Sequence, residues 1–261
     1  MDIPEKRRLE IKKVITSKGS STVSTLANIF KVSELTIRRD LDKLELEGDI
    51  KKVHGGAIVS GSPVEDQPVY LEDIKLFKKE KEKISIEAAK RIKDYASIII
   101  EAGTTGHRLV DNMKKINSLT VFTASIPTAY ELWKRSLQFK NLEINVCGGL
   151  IEKKSNTLIG SQAVNYFNNI SADIAFISPV GISIEKMHIL TNSLLDADVT
   201  QSIIKCSKKN ILLSDSSKFL KIARYAITSL KSFDEIITDS GISSEILRVA
   251  RKNNIKITVV D

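Results

Sequence analysis

The stretch VSELTIRRDL, residues 32–41, decides how the first quarter of the chain reads. Ser33 is a good N-cap, because its hydroxyl can accept from amides that the first helical turn leaves unpaired. Behind it Ile37, Leu41 and Leu44 recur at the helical period, and Gly48 closes the helix. With those three on a core, Leu35 and Arg39 point away from it, and Thr36 and Arg38 flank that outer face. Asp40 falls nearer the buried side and is expected to partner a neighbouring arginine or backbone group rather than read a base.

The flanking sequence supplies a frame for this helix. Residues 4–18 read as a helix with Pro4 in its first turn, Ile11, Val14 and Ile15 on the helical period, and Gly19 at its end. A second helix begins near Thr22, with Val23, Leu26, Ala27 and Phe30 on one face. After a short break at Lys31-Val32 the Ser33 helix follows, and DIKKVHGGAIV, residues 49–59, reads as a hairpin turning at Gly55-Gly56. Three helices and a hairpin describe a winged helix-turn-helix whose third helix enters the major groove of double-stranded DNA. Arginine bonds bidentately to guanine or to phosphate, so Arg38 and Arg39 fit that helix; which does which stays open. Ser33, Leu35, Thr36, Arg38, Arg39, Lys51, Lys52 and His54 are the candidate DNA-contacting residues. The three hairpin residues would meet phosphates, and their alternative is an ordinary solvated face.

Charge supports this by placement more than by amount. The 261 residues carry a formal net charge of +8, yet residues 1–60 hold twelve Lys and Arg against nine Asp and Glu. Cys147 and Cys206 form no disulfide framework and lack metal-ligand spacing, which fits free thiols in a reducing, cytoplasmic setting. MDIPEKRRLEIKKV carries no signal-peptide apolar segment. No apolar run nears the roughly 20 residues of a membrane helix, so no membrane partner is expected.

SGSPVEDQP, residues 60–68, is the best linker signal in the chain. It suggests a head at 1–59, a linker at 60–74 and a larger domain at 75–261. A charged helix is expected at 75–93, with Ile84, Ala88 and Ile92 inward. From residue 95, apolar runs at 97–102, 119–124, 142–148, 173–178, 210–214, 234–239 and 255–261 alternate with helical segments at 105–114, 126–135, 161–169, 192–207 and 243–252. That alternation predicts a mostly parallel α/β sheet covered on both faces.

Open parallel sheets bind ligands at the carboxyl ends of their strands. Four such ends carry suggestive residues: Gly103-Thr104-Thr105-Gly106, Ser125, Gly148-Gly149, and Asp215-Ser216-Ser217-Lys218-Phe219. Glycines let backbone approach an anion, helix N-termini and hydroxyls donate to it, and Lys218 adds charge. A small phosphorylated metabolite is the expected ligand; each loop taken alone reads equally as a turn. His107 lines the pocket or sits on the surface, and Leu132 and Trp133 are expected to pack their helix. The three histidines lack metal spacing, and neither a G-x-S-x-G elbow nor a P-loop is present.

Ser33, Thr36-Ile37-Arg38-Arg39-Asp40-Leu41 and Val53-His54-Gly55-Gly56-Ala57 resemble the N-terminal signature of the DeoR family of bacterial transcriptional regulators. The resemblance continues through Glu101-Ala102-Gly103-Thr104-Thr105, Thr123-Ala124-Ser125, Gly148-Gly149, Gly160, Asp215 to Phe219 and Asp234 to Asp239. It implies an effector domain related in fold to ribose-phosphate isomerases and CoA transferases. It also implies a sensor of a sugar phosphate at Glu101, Gly103, Thr104, Thr105, Ser125, Gly148, Gly149 and Lys218, with no other cofactor. The sequence departs from the family's pattern at Glu101, where Asp is usual, at Ala124, where Asn is usual, at Ser178-Pro179-Val180-Gly181, and at Thr200, where Lys is common. Losing that Asn and Lys removes polar contacts to a ligand.

Three functions therefore stand at this stage. The first is a regulator, a repressor of carbohydrate metabolism, acting as a dimer or tetramer and answering to a metabolite. The second is an isomerase- or deaminase-type enzyme with Glu101 as base and Lys218 as anion partner, for which the sequence shows no second acid/base group. The third is a constitutive DNA-binding protein whose large domain serves only to oligomerise.

Overall fold

Ser33 caps its helix as expected, its hydroxyl accepting from the Thr36 amide at 3.2 Å. In the computed structural model, which describes residues 3–18, 20–53, 56–59, 70, 73–94, 96–114, 116–221 and 223–261, the chain divides into two units, Met1–Gln67 and Pro68–Asp261.

The first unit contains α1 (Ile3–Lys18), β1 (Ser20–Thr22), α2 (Val23–Phe30), α3 (Glu34–Leu46), β2 (Ile50–Val53) and β3 (Gly56–Val59). Ile11, Ile15, Leu26, Ile37, Leu41 and Leu44 make one small core, so the period read in the sequence faces inward. Thr22 caps α2. Strands β2 and β3 pair antiparallel with Val53 opposite Gly56. The short strand β1, which the sequence does not announce, pairs with β3 to widen the wing to three strands.

The second unit adds α4 (Lys78–Ala89), β4 (Ala96–Ile100), α5 (Thr104–Asn112), β5 (Leu119–Thr123), α6 (Ile126–Arg135), β6 (Leu142–Val146), β7 (Leu150–Glu152), β8 (Thr157–Ile159), α7 (Ser161–Asn168), β9 (Ile174–Ile177), β10 (Gly181–Ser183), β11 (His188–Thr191), α8 (Leu194–Cys206), β12 (Asn210–Leu213), β13 (Tyr225–Ser229), β14 (Glu235–Asp239), α9 (Ser244–Lys252) and β15 (Ile257–Val260). All seven apolar runs enter one parallel sheet, in the order β15-β14-β12-β9-β4-β5-β6.

Alternation along the strands builds two cores. Ile98, Ile100, Phe176, Ile211 and Leu213 face Ile84 and Ala88 of α4 and Leu109 of α5. Ile99, Ala175, Ile177 and Leu212 face Phe167 of α7, Ile203 of α8 and Ile246 of α9. Continuous apolar runs are what strands buried on both faces require. Two smaller sheets lie outside the sequence expectation, the β7-β8 hairpin and the antiparallel trio β10-β11-β13. Their strands are three to five residues long and mixed in polarity, too short to show a period.

Candidate functional site

In the first unit, α3 presents Leu35, Arg38 and Arg39 on its exposed face. Arg38 lies 3.6 Å from Glu34, an exposed pair one turn away that a phosphate or base can replace at little cost. Asp40 is buried and pairs structurally with an arginine, as expected, but with one far from it in sequence. It accepts from Arg7 of α1 at 2.6 Å, with Arg8 at 4.0 Å. The pair fastens α1 under the recognition helix and leaves Arg38 and Arg39 outward. Lys52 pairs with Asp42 of α3, an exposed contact that braces the wing against α3 and that a phosphate can replace as readily as it can the Arg38 pair. The Lys51 side chain and His54 lie outside the described residues.

Arg7→Ala therefore tests the frame. It strands a buried carboxylate with only Arg8 nearby. It should destabilise the head by about 1–3 kcal/mol, less than a fully buried pair costs, because Arg7 is partly exposed and Arg8 remains. Thermal melts of the wild-type and variant chains check this; an unchanged head transition would contradict it.

In the second unit the strand order reverses between β4 and β9. Chain order runs one way through β4, β5 and β6, and the other through β9, β12, β14 and β15. Such a switch point opens a crevice at the strands' carboxyl ends. The Glu101 amide donates to the Phe176 carbonyl at 3.0 Å, extending the β4-β9 ladder into that crevice. Gly103 is required there, since a Cβ on it would come within 2.4 Å of Ser178 Cβ.

A cavity of about 820 Å³ opens over this point, and Glu101, Gly103, Thr104, Thr105 and Lys218 all line it. Ser125, Gly148 and Gly149, expected with them, do not. Ser125 caps α6, accepting from the Thr128 amide. Gly148 and Gly149 take φ of +71° and +123°, and a Cβ on Gly149 would lie 2.6 Å from the Ile159 carbonyl oxygen. His107 packs edge-on against Tyr70 and is not part of the lining. Trp133, expected to pack, is 65 % exposed, whereas Leu132 is fully buried.

The departures from the family pattern turn out to be partners. Thr200 donates its hydroxyl to Glu101 Oε1, and the Ser178 amide donates to Oε2 at 3.0 Å. Burial pushes the Glu101 carboxyl up to about 7 against the pull of these two bonds, and Asp196 adds to the rise. Burial likewise lifts Asp196 to about 6. The longer Glu and the shorter Thr thus complete one hydrogen-bonded pair, which satisfies the Glu101 carboxylate without a lysine, while Asp196 Oδ1 nearby stays buried without a hydrogen-bond partner. Ala124 is fully buried.

A cluster of lysines gathers around Asp73 at the same cavity. Lys218 Nζ lies 3.1 Å from both carboxylate oxygens of Asp73. Lys81, fully buried, approaches the same carboxylate at 3.3 Å and Lys221 at 3.6 Å. Thr104, at the N-terminus of α5, donates to Asp73 Oδ2 at 3.0 Å. Burial opposes the charge on Asp73, but Lys218, Lys81 and Lys221 outweigh it and hold its carboxyl below the usual range. Asp73, Lys154, Lys221, Arg224 and Asp196 all line the cavity, and none was singled out as a contact in the sequence. Lys221 and Arg224 follow directly on the Lys218 run, the one signal that pointed to them.

Residues 7–62 match the DeoR-like helix-turn-helix domain, and residues 77–240 match the DeoR C terminal sensor domain. The chain belongs to the DeoR family. This DeoR-family chain is 31% identical to the HTH-type transcriptional regulator GolR of Listeria innocua, over 99% of both chains. It is 29% identical to the HTH-type transcriptional repressor GlcR of Bacillus subtilis, over 98% of this chain and 96% of that one. A ribose 5-phosphate isomerase A from Methanocaldococcus jannaschii aligns at 12% identity and a TM-score of 0.37 over 54% of each chain, a likeness too distant to bear on activity. As a member of the family the protein is a transcriptional regulator, with a DNA-binding head and a sensor domain. No helix among its described residues is long and apolar enough to cross a membrane.

Proposed function

We propose that the protein is a cytoplasmic repressor of a carbohydrate-metabolism operon, and that a phosphorylated sugar or related metabolite changes its affinity for operator DNA. The observation that supports this most is the lysine cluster at the cavity. Lys218 and Lys221 of the lining, with the buried Lys81 behind them, gather near Thr104 at a helix N-terminus, which suits a phosphate. Polar groups elsewhere in the lining, among them Asn192, Ser193, Asp196 and Thr200, suit hydroxyls. A volume of about 820 Å³ suits a metabolite rather than a macromolecule. The repressor relative GlcR supports the sign of regulation by similarity.

In this reading Arg38 and Arg39 enter the major groove, with Ser33, Leu35 and Thr36 at the same helix end. Arg39→Ala should weaken binding to the preferred DNA by about 1–3 kcal/mol if Arg39 reads a base. Fluorescence anisotropy on a sequence selected from a randomised pool measures it; unchanged affinity would strike Arg39 from the contact surface. Paired half-sites call for a homo-oligomer, a dimer or tetramer. Tyr130, Trp133 and Leu137, at 60, 65 and 97 % exposure, offer an apolar face for it around α6.

One observation favours a second reading. Glu101 and Asp196 both line the cavity with raised carboxyls, and paired carboxyls of that kind can exchange protons with a substrate. Asp196 is the second acid/base candidate that the sequence did not reveal. Incubation with sugar phosphates separates the two: ligand binding without turnover supports the sensor, and turnover lost in Glu101→Gln supports the enzyme.

A further inference from the structure

The anion end of the cavity is filled by the protein itself. Asp73 presents one carboxylate to Lys218, Lys81, Lys221 and the Thr104 hydroxyl. These donors converge beside the N-terminus of α5, whose N-cap, Gly103, makes no side-chain cap. That convergence is what a phosphate would use. Formal charge sharpens the comparison. Asp215 also acts on Lys81 and Lys221. Three ammonium groups against Asp73 and Asp215 leave one positive charge (3 − 2 = 1). Without Asp73 they leave two (3 − 1 = 2), matching the charge of a phosphomonoester, ~ −1.5 to −2 at neutral pH.

Asp73 also differs in kind from its partners. Thr104, Lys81 and Lys218 sit on α5, α4 and the short helical turn Ser216–Leu220, all packed on the sheet. Asp73 lies before α4, on the stretch that leads from Gln67, the end of the first unit, into the second. Its backbone is tied locally: the Asp73 carbonyl accepts from the Leu76 amide at 3.2 Å and from Lys81 Nζ, and the Ile74 amide donates to the Tyr70 carbonyl at 3.0 Å, so the carboxylate is the part that a competing anion can displace.

We propose that Asp73 is an internal competitor at the anion subsite, a carboxylate that holds the place of the effector's phosphate and is expelled when a phosphorylated ligand binds. This rests on the sensor reading of the cavity. It adds a route for the signal, because ligand binding would release the segment that joins the sensor to the DNA-binding head. It also sets a threshold: a monoanionic or uncharged sugar gains too little from the lysines to expel Asp73, whereas a dianion replaces it with interest in charge.

Titration of the full chain with inorganic phosphate tests it. Asp73→Asn removes the competing charge but keeps the shape, and it should bind phosphate at least about tenfold more tightly than the wild type, since the competent state no longer has to be freed. A variant that binds no more tightly overturns the proposal and makes Asp73 a fixed structural counterion. Hydrogen–deuterium exchange of the wild-type chain gives a second readout should the variant fold poorly. Phosphate should speed exchange around residues 73–77 while slowing it around residues 103–108. Slowing in both would mean that the anion joins Asp73 rather than expelling it, which also overturns the proposal. If phosphorylated sugars bind the wild type but Asp73→Asn gains nothing, the competitor falls and the sensor stands. If Asp73→Asn binds phosphate while neither phosphate nor any phosphorylated sugar binds the wild type, Asp73 is a permanent block that no ligand expels, and both the proposal and the sensor reading fall.

Discussion

Lys218→Ala should lose most of the stabilisation that a phosphorylated sugar gives the wild-type protein. A ligand that binds only the folded state adds about 2.7 kcal/mol at 100 times its dissociation constant. Lys218 is buried to 8 % exposure, with its ammonium pointed at the anion place. A hydrogen bond to a charged partner at such a site is worth about 1.5–3 kcal/mol. Removing it weakens binding by roughly one to two powers of ten, so the same ligand concentration should add less than about 1.5 kcal/mol to the variant. The ligand-induced increment is the quantity to compare. The unliganded variant itself should melt lower, because among the lysines Asp73 keeps Lys81 and Lys221, beside the Thr104 hydroxyl. Equal increments in the two proteins would remove Lys218 from the site. No increment in either, across a broad set of sugar phosphates, would favour a constitutive regulator whose larger domain serves for assembly.

Glu101→Gln should change how stability depends on pH. In the folded chain burial raises this carboxyl from 4.5 to about 7. A carboxyl raised on folding stabilises the fold fully below its unfolded value, and that contribution is lost as pH rises through the folded value. The wild type should therefore lose stability between about pH 4.5 and 7 through this group, by on the order of 3 kcal/mol. Glutamine is neutral throughout and still offers an oxygen to the Ser178 amide or the Thr200 hydroxyl. The variant should gain on the wild type from pH 5 to pH 8 by that amount. Asp196 interacts with Glu101, so the difference between melting curves reports Glu101 together with its coupling to Asp196. A difference that does not vary with pH would mean that Glu101 stays ionised across the range.

The head was legible almost residue by residue, because its helices are long enough to show the 3.6-residue period and Ser33 and Thr22 sit at caps. What escaped were contacts distant in sequence. Nothing in the spacing couples Arg7 to Asp40, 33 residues on, or Lys52 to Asp42 across the turn. The seven strands of the parallel sheet were equally plain, since burial on both faces leaves unbroken apolar runs. The cavity was only half legible. Its floor comes from the loops after β4 and β12, where Gly103 and Lys218 follow directly on strong strands. Its walls come from β7-β8, β11 and β13, which are too short to carry a pattern and bring in Lys154, Asn192 and Arg224. Ser125, Gly148 and Gly149 follow strands β5 and β6 but are not among the lining residues, and a cap and a backbone approach account for them. Glu101 and Thr200 looked like two unrelated departures because each was read alone; 99 residues apart, they are one hydrogen bond.

The central claim is that occupancy of the cavity changes affinity for DNA. Both ligands must couple reciprocally, typically by a factor of about 5–150. The direct measurement is the affinity of the full chain for its selected DNA, by anisotropy at fixed salt, with and without a saturating phosphorylated sugar identified by thermal shift. The account predicts a change of about fivefold or more that is lost in Lys218→Ala. An unchanged affinity with the sugar demonstrably bound would contradict it.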